Sequence, residues 1–185
     1  MNLFTRKSLS VIASIVLISA IAVFAAQYRQ YAYAMAWHYR HHASFRLGEH
    51  EIEIPNKWWA GAKADGVGRI SIFRASKSSV FFEPKIEVGP ASPGEMAQGD
   101  DEQSSLANKV VAAARPDPQS GWTFSVTTLR SRNSTWYCLR DADVILGKEV
   151  LTNLTCNASR VPYTLNYQGP PEQEKEAELI FATFR

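Results

Sequence analysis

Residues 135–157 read TWYCLRDADVILGKEVLTNLTCN, and they contain both cysteines of the chain, Cys138 and Cys156. Thr135–Ala142 and Glu149–Asn157 each have strand character, and Gly147 stands midway between the two thiols. A hairpin turning at Gly147 sets Cys138 directly opposite Cys156. In a non-hydrogen-bonded antiparallel pair the Cα atoms lie about 4.5 Å apart, within reach of a disulfide. Trp136 and Arg140 then share the Cys138 face, and Leu154 lies across from Arg140. The competing readings are a reactive thiol or two buried free thiols. No CxxC is present and no histidine follows His50 to activate a thiol. A bridge implies an oxidising compartment.

Outward from the hairpin, the alternation continues. Trp122–Arg130 precedes it as a strand. Val161–Gln168 follows, with Val161, Tyr163, Leu165 and Tyr167 alternating against Pro162, Thr164 and Asn166. Upstream, Glu49–Pro55 places Ile52 and Ile54 opposite Glu51 and Glu53. Gly68–Ala75 carries Ile70 and Ile72. Val80–Val88 carries Phe82, Ile86 and Val88, with Pro84 arguing for an edge or a bulge. Residues 89–105 are turn-rich and acidic, a surface loop. A helix then carries Leu106, Val110, Val111 and Ala114 at helical spacing and stops at Pro116. A final helix starts at Pro170–Pro171, with Glu172, Glu174 and Glu176 at its positive end, and buries Leu179, Ile180, Phe181 and Phe184. The expected body, 44–185, is an α+β domain: a mainly antiparallel sheet with two helices packed on it.

The leader is of another kind. Residues 9–26, LSVIASIVLISAIAVFAA, hold no charge over 18 residues. As a helix they span about 27 Å, close to the ~30 Å of a bilayer core. A cleaved signal peptide, cut after Ala25, competes with a retained transmembrane anchor. Signal h-regions run about 7–15 residues, and the greater length here favours the anchor. Residues 1–8 then form a short cytoplasmic tail, 9–26 the anchor and 27–43 a helical stem. Neither Gly nor Pro occurs before Gly48, so one helix extends from about Ser8 to His42. Tyr28, Tyr31, Trp37, Tyr39 and Arg40 suit the membrane interface. The stem ends in WHYRHH, residues 37–42, with three of the chain's four histidines. His38 and His42 stand at i, i+4, but no third ligand accompanies them, so the expectation is a stem and no metal.

Of the chain's 20 Lys and Arg, the first 43 residues hold Arg6, Lys7, Arg29 and Arg40 and no acid, which leaves the remainder acidic by 2. That distribution argues against nucleic acid as a partner. With no histidine beyond His50, a Ser-His-Asp or Cys-His arrangement in the body would need His50 itself. Gly-x-Ser-x-Gly and phosphate-cradling glycine loops are missing, and no cofactor is expected. Asp141 and Asp143 share a strand face and read as solvated rather than catalytic. Asn133, Asn153 and Asn157 head glycosylation sequons. Trp58 and Trp59 are the candidate binding surface.

The stretch EIEIPNKWW (51–59), the order of strands around one helix, and a closing helix ending in ELIFATFR (178–185) together resemble the PsbP/DcrB-like family over about 44–185. The resemblance implies a small exported, membrane-attached domain of lipoprotein or assembly-factor type, with no catalytic residue to carry over. This chain departs from it by a transmembrane helix in place of a lipidated cysteine, and by its disulfide. The resulting expectation is a single-pass protein of the cytoplasmic (inner) membrane. Its C-terminal domain is extracytoplasmic and periplasmic, and serves as a non-enzymatic binding or assembly module with a protein partner. The alternatives are a small-ligand carrier with a pocket between sheet and helices, or a carboxylate-based enzyme.

Overall fold

The computed structural model describes residues 3–62, 68–76, 84–92, 101–102, 104–105, 108–109 and 122–185. Helix α1 (Leu3–His41) leads into a short hairpin, β1 (Ser44–Leu47) and β2 (His50–Glu53). The main sheet follows: β3 (Trp58–Ala62), β4 (Ile70–Arg74), β5 (Lys85–Pro90), β6 (Trp122–Arg130), β7 (Thr135–Ile145), β8 (Lys148–Ala158) and β9 (Tyr163–Gly169). A 3₁₀ turn, Pro171–Gln173, runs into α2 (Glu174–Ala182). The sheet order is β3-β4-β5-β9-β8-β7-β6, with every described pairing antiparallel. The α+β architecture with a large antiparallel sheet is as expected. The helix expected around Leu106 and Ala114 falls largely outside the described residues, although 101–102, 104–105 and 108–109 are helical. Phe82 and most of the 89–105 loop also lie outside them.

The β7–β8 hairpin carries the predicted register. Cys138 pairs with Cys156, Trp136 with Ala158 and Arg140 with Leu154. The cysteines are bridged, fully buried, with Cα atoms 4.0 Å apart. The turn itself is tighter than expected. Ile145 pairs with Lys148, leaving only Leu146 and Gly147 between the strands. Both have positive φ, 52° and 75°, as a type I′ turn requires. Such a turn alone would put the cysteines out of step by one residue. A shift between Asp143/Leu151 and Val144/Glu149 inserts Val150 as an extra residue on β8 and restores the register.

One face of the sheet is apolar. Trp58, Ala60, Ile72, Ile86, Tyr167, Leu165, Leu154, Cys156, Cys138 and Trp136 all fall on it and are buried. Helix α2 lies over this face with Ala177, Ile180, Phe181 and Phe184 inward, Phe184 meeting the Trp136 ring edge-on at 5.1 Å. Leu179 was expected inside but is 68% exposed, because it points away from the sheet on a helix whose inward stripe runs 177, 180, 181 and is continued by Phe184 just beyond its end. The layer between α2 and the sheet is filled by Trp58, Trp136, Tyr167 and Phe181. At the margin of this layer, Leu129 and Arg130 of β6 and Lys175, Glu178, Leu179 and Ala182 of α2 line a small cavity of about 260 Å³.

Two arginines on this face fasten α2. Arg74 on β4 holds Glu176 in a fork, Nε to Oε2 at 2.8 Å and Nη2 to Oε1 at 3.0 Å, and the Trp58 indole donates to Glu176 Oε2 at 3.1 Å. Arg140 on β7 holds Glu174 at 2.7 and 2.9 Å and reaches Glu149 at 2.6 Å. Between them, the Tyr167 hydroxyl donates to Pro170 O at 2.7 Å, and burial pushes its pKa up. Gly169 makes room for that hydroxyl: a Cβ there would stand 2.6 Å from it.

Two short strands escaped the sequence reading. β1 has four residues, too few to show a period, and three of the five residues of β3 (WWAGA) are small. Pro84, read as marking an edge or a bulge, lies just before an interior strand. β5 pairs with both β4 and β9, starting at Lys85, so the missing N–H of Pro84 falls outside the ladder. Helix α1 ends without Gly or Pro. His42 and Ala43 turn left-handed, φ 50° and 62°, and Ile54 N donates to Ala43 O at 2.8 Å. A tertiary contact thus substitutes for a breaker residue.

Two predictions follow from this packing. The bridge closes a loop between residues 18 apart, worth about 3 kcal/mol in the chain-entropy model. Reduction, or the double substitution Cys138→Ala/Cys156→Ala, is expected to lower Tm by on the order of 5–10 °C in a thermal melt. For the second, hydrogen bonding from Arg74 holds the Glu176 carboxyl below its usual 4.5, partly opposed by burial. Its contribution is present above the usual carboxylate range and is lost as pH falls through the lowered value. Glu176→Gln is expected to cost about 1 kcal/mol at pH 7, a low figure because the pair is partly solvated. Denaturant titrations at successive pH values should then show a shallower acid loss in the variant than in the parent.

Candidate functional site

Three arginines and a histidine gather at one end of the sheet. Successive turns of an antiparallel meander alternate between ends, so the β6–β7 and β8–β9 turns stand side by side. The first is closed by two serines. Ser131 N donates to Ser134 O at 2.9 Å, Ser131 Oγ to the same oxygen at 3.1 Å, and Ser134 N to Ser131 Oγ at 3.2 Å. The second turns through Arg160 at φ 62°. Beneath both sits His50, at the start of β2, stacked on Phe184 at 5.1 Å and edge-on to Tyr163 at 5.6 Å.

These elements enclose an open cleft of about 790 Å³, lined by Arg130, Arg132, Arg160, His50 and a set of Ser, Thr and Asn side chains, with no carboxylate. Arg130 and Arg132 engage no carboxylate among the described residues. Gathered cations repel one another, and among the described residues no carboxylate offsets Arg130 or Arg132. A guanidinium fork is matched in shape and charge to an oxyanion.

A second cleft, of about 730 Å³, contains Glu51, Glu53, Thr183 and Arg185 and is internally satisfied. Arg185 binds Glu51 at 2.8 Å and approaches Glu53 at 3.8 Å, and its hydrogen bond holds the Glu51 carboxyl below the usual range. Asp141 and Asp143 lie on β7 facing away from α2, and neither lines these clefts. Among the described residues no group of His, Cys, Asp and Glu is placed to hold a metal.

The residues singled out from sequence have different fates. Trp58 is wholly buried in the core, its indole N–H spent on Glu176, and offers no binding surface. Trp59 is half-buried on the other face, against Phe73 at 4.8 Å and Tyr33 at 6.0 Å. Trp37, expected at a membrane interface, is instead buried in the domain core, because the stem docks on the sheet edge. The contact face of the stem is Gln30, Ala34, Trp37 and His38. His38 Nε2 donates to Pro55 O at 3.0 Å and to Trp58 O at 2.9 Å, and Gln30 Oε1 accepts from Ser76 N at 2.8 Å. Nε2 is thus committed to two carbonyls, while Nδ1 is buried without a hydrogen-bond partner among the described residues. His41 caps the turn, its Nδ1 on Trp37 O at 2.9 Å and its ring stacked on Trp37. Tyr39 and Arg40 are exposed, and Tyr28 and Tyr31 are half-buried, Tyr28 stacking on Phe24 at 4.3 Å.

Nine large apolar side chains of α1, from Val11 to Phe24, are 57–66% exposed. Among the described residues no single helix is long and apolar enough to cross a membrane. Val11–Ala26 and Tyr28–His41, bent by 53°, meet that requirement together.

No protein-family model matches the chain, and no curated protein does. Among solved structures, it is similar to cyanobacterial PsbP (CyanoP) from Synechocystis sp. PCC 6803. The identity is 10% and the TM-score 0.42, over 77% of this chain and 90% of that one. A protein from Bacteroides thetaiotaomicron VPI-5482 is similar at 11% identity and TM-score 0.35, over 74% of this chain and 44% of that one, so this chain spans less than half its length. Likeness at this level is a distant one of fold, and it carries no function across.

Proposed function

We propose that this chain is a membrane-anchored extracytoplasmic binding module. In this reading, residues 9–26 hold it in the cytoplasmic membrane, the stem fixes the domain against that anchor, and the basic cleft is the binding face. One observation carries the reading. The helix that leaves nine large apolar side chains without protein cover runs directly into a segment docked on the sheet by Trp37, His38 and Gln30. Uncovered apolar surface on this scale asks for a lipid or protein environment. A docked stem gives the domain little freedom to tumble away from the anchor. The buried disulfide supports an oxidising compartment for the domain, and Arg6 and Lys7 favour a cytoplasmic N-terminus.

The expected outcome is that the full chain, expressed with its leader, sediments with membranes and resists alkaline-carbonate extraction. Intact-mass measurement should show residues 9–26 retained, and protease added outside the membrane should digest the domain. A mature N-terminus near Ala26, or a domain recovered in the soluble fraction, overturns the anchor.

A further inference from the structure

We propose that the cleft between the β6–β7 and β8–β9 turns binds a phosphate-type oxyanion through Arg130 and Arg132, with Arg160 and His50 completing its wall. This rests on the reading of that cleft as the binding face, and it names the ligand chemistry.

The argument starts from charge. The residues beyond the leader are acidic by 2 in total, yet this one cleft is lined by three guanidiniums and an imidazole and no acid. Three arginines elsewhere on the body are matched: Arg74 with Glu176, Arg140 with Glu174 and Glu149, Arg185 with Glu51. The contrast is between arginines that hold the fold together and arginines that do not. Arg130 and Arg132 are both exposed, flank a turn already closed by its own serines, and take no carboxylate among the described residues. Their positive charge is not needed for the turn.

Size and polarity narrow the occupant. A cleft of about 790 Å³ is in the range of small-molecule sites. Its remaining lining is hydroxyl and amide, Ser131, Asn133, Ser134, Thr135 and Ser159, apart from the nearly buried Val161. Hydroxyls and amides can donate to oxyanion oxygens, and a single valine makes a poor apolar bed. The one ring in the wall, His50, is already stacked on Phe184, which leaves little platform for a nucleobase. The His50 imidazole has no hydrogen-bond partner among the described residues. A long polyanion would leave the basic patch and meet an acidic body. A compact phosphate group, in solution or as the headgroup of an anionic lipid, fits all of these constraints.

The test uses the full chain solubilised in a neutral detergent and has two arms. In one, inorganic phosphate is titrated and heat is recorded. In the other, phosphatidylglycerol in mixed micelles is titrated against phosphatidylcholine as the control. Saturable binding is expected in at least one arm, and the arm that responds identifies the source. Arg130→Gln and Arg132→Gln are each expected to weaken it about tenfold, the worth of one charge-assisted hydrogen bond. Arg29→Gln, on the exposed flank of α1, should leave it unchanged. Failure of both arms to saturate overturns the proposal, as does binding that survives both cleft substitutions or falls equally with Arg29→Gln. Because the chain is in detergent throughout, the result is independent of whether residues 9–26 span a membrane.

Discussion

The structure depends most on register in the β7–β8 hairpin. A slip of one residue in a strand turns every side chain to the opposite face. Here the correct register puts Cys138, Trp136 and Arg140 toward α2, and a slip of one residue would put them outside. Two local devices determine it, the left-handed Leu146–Gly147 turn and the extra residue Val150. The disulfide then locks what they select. Arg140 can reach Glu174 only from this face, and β9 can lay Leu165 beside Cys156 and Tyr167 beside Leu154 only if β8 presents them inward.

Much of this was legible from sequence, because the body follows the simplest of patterns. Strands that alternate over seven or more residues, such as β6, β7, β8 and β9, announce both their existence and their inward face. The symmetry of two cysteines about one glycine gave their pairing. That pairing came out right although the turn was placed one residue too wide, since the bulge and the tighter turn cancel. What stayed hidden was short or depended on distant partners. β1 and β3 are too brief for a period. The burial of Trp58 and Trp37 is decided by the helix–sheet contact, which no local window contains. For α1, the eye follows the tyrosines at 28, 31 and 39, whereas the docking stripe runs through Gln30, Ala34, Trp37 and His38, half of it polar. The basic cleft had a signal that was passed over. Arg130, Arg132 and Arg160 all fall in turns separated by an even number of strands, and antiparallel parity brings those turns to one end.

The arginines divide into two sets of different use. Arg74 and Arg140 stand on the inner face and are matched by glutamates from α2, so they serve as struts between helix and sheet. Arg130 and Arg132 stand at the sheet's end and are matched by nothing described on the protein. In the stem, His38 likewise acts as a strut, bridging two backbone carbonyls. Two histidines of the stem cluster, His38 and His41, thus hold backbone carbonyls, and the plain turn sequence RSRNST (130–135) lines the cleft.

The strand order has a consequence for how the chain reaches its fold. β3-β4-β5 and β6-β7-β8 are each meanders of sequence neighbours, but the strand between them, β9, is the last to be synthesised. Until it arrives, β5 and β8 are both bare edges, and each half is an unsealed sheet prone to pair with the wrong chain. The closing step joins β9 to β5, strands more than 70 positions apart in sequence, a non-local contact of the kind that slows folding. A chain threaded across a membrane from its N-terminus would keep both half-sheets open for the whole of its passage, and would become a single folded body only when its last segment has crossed.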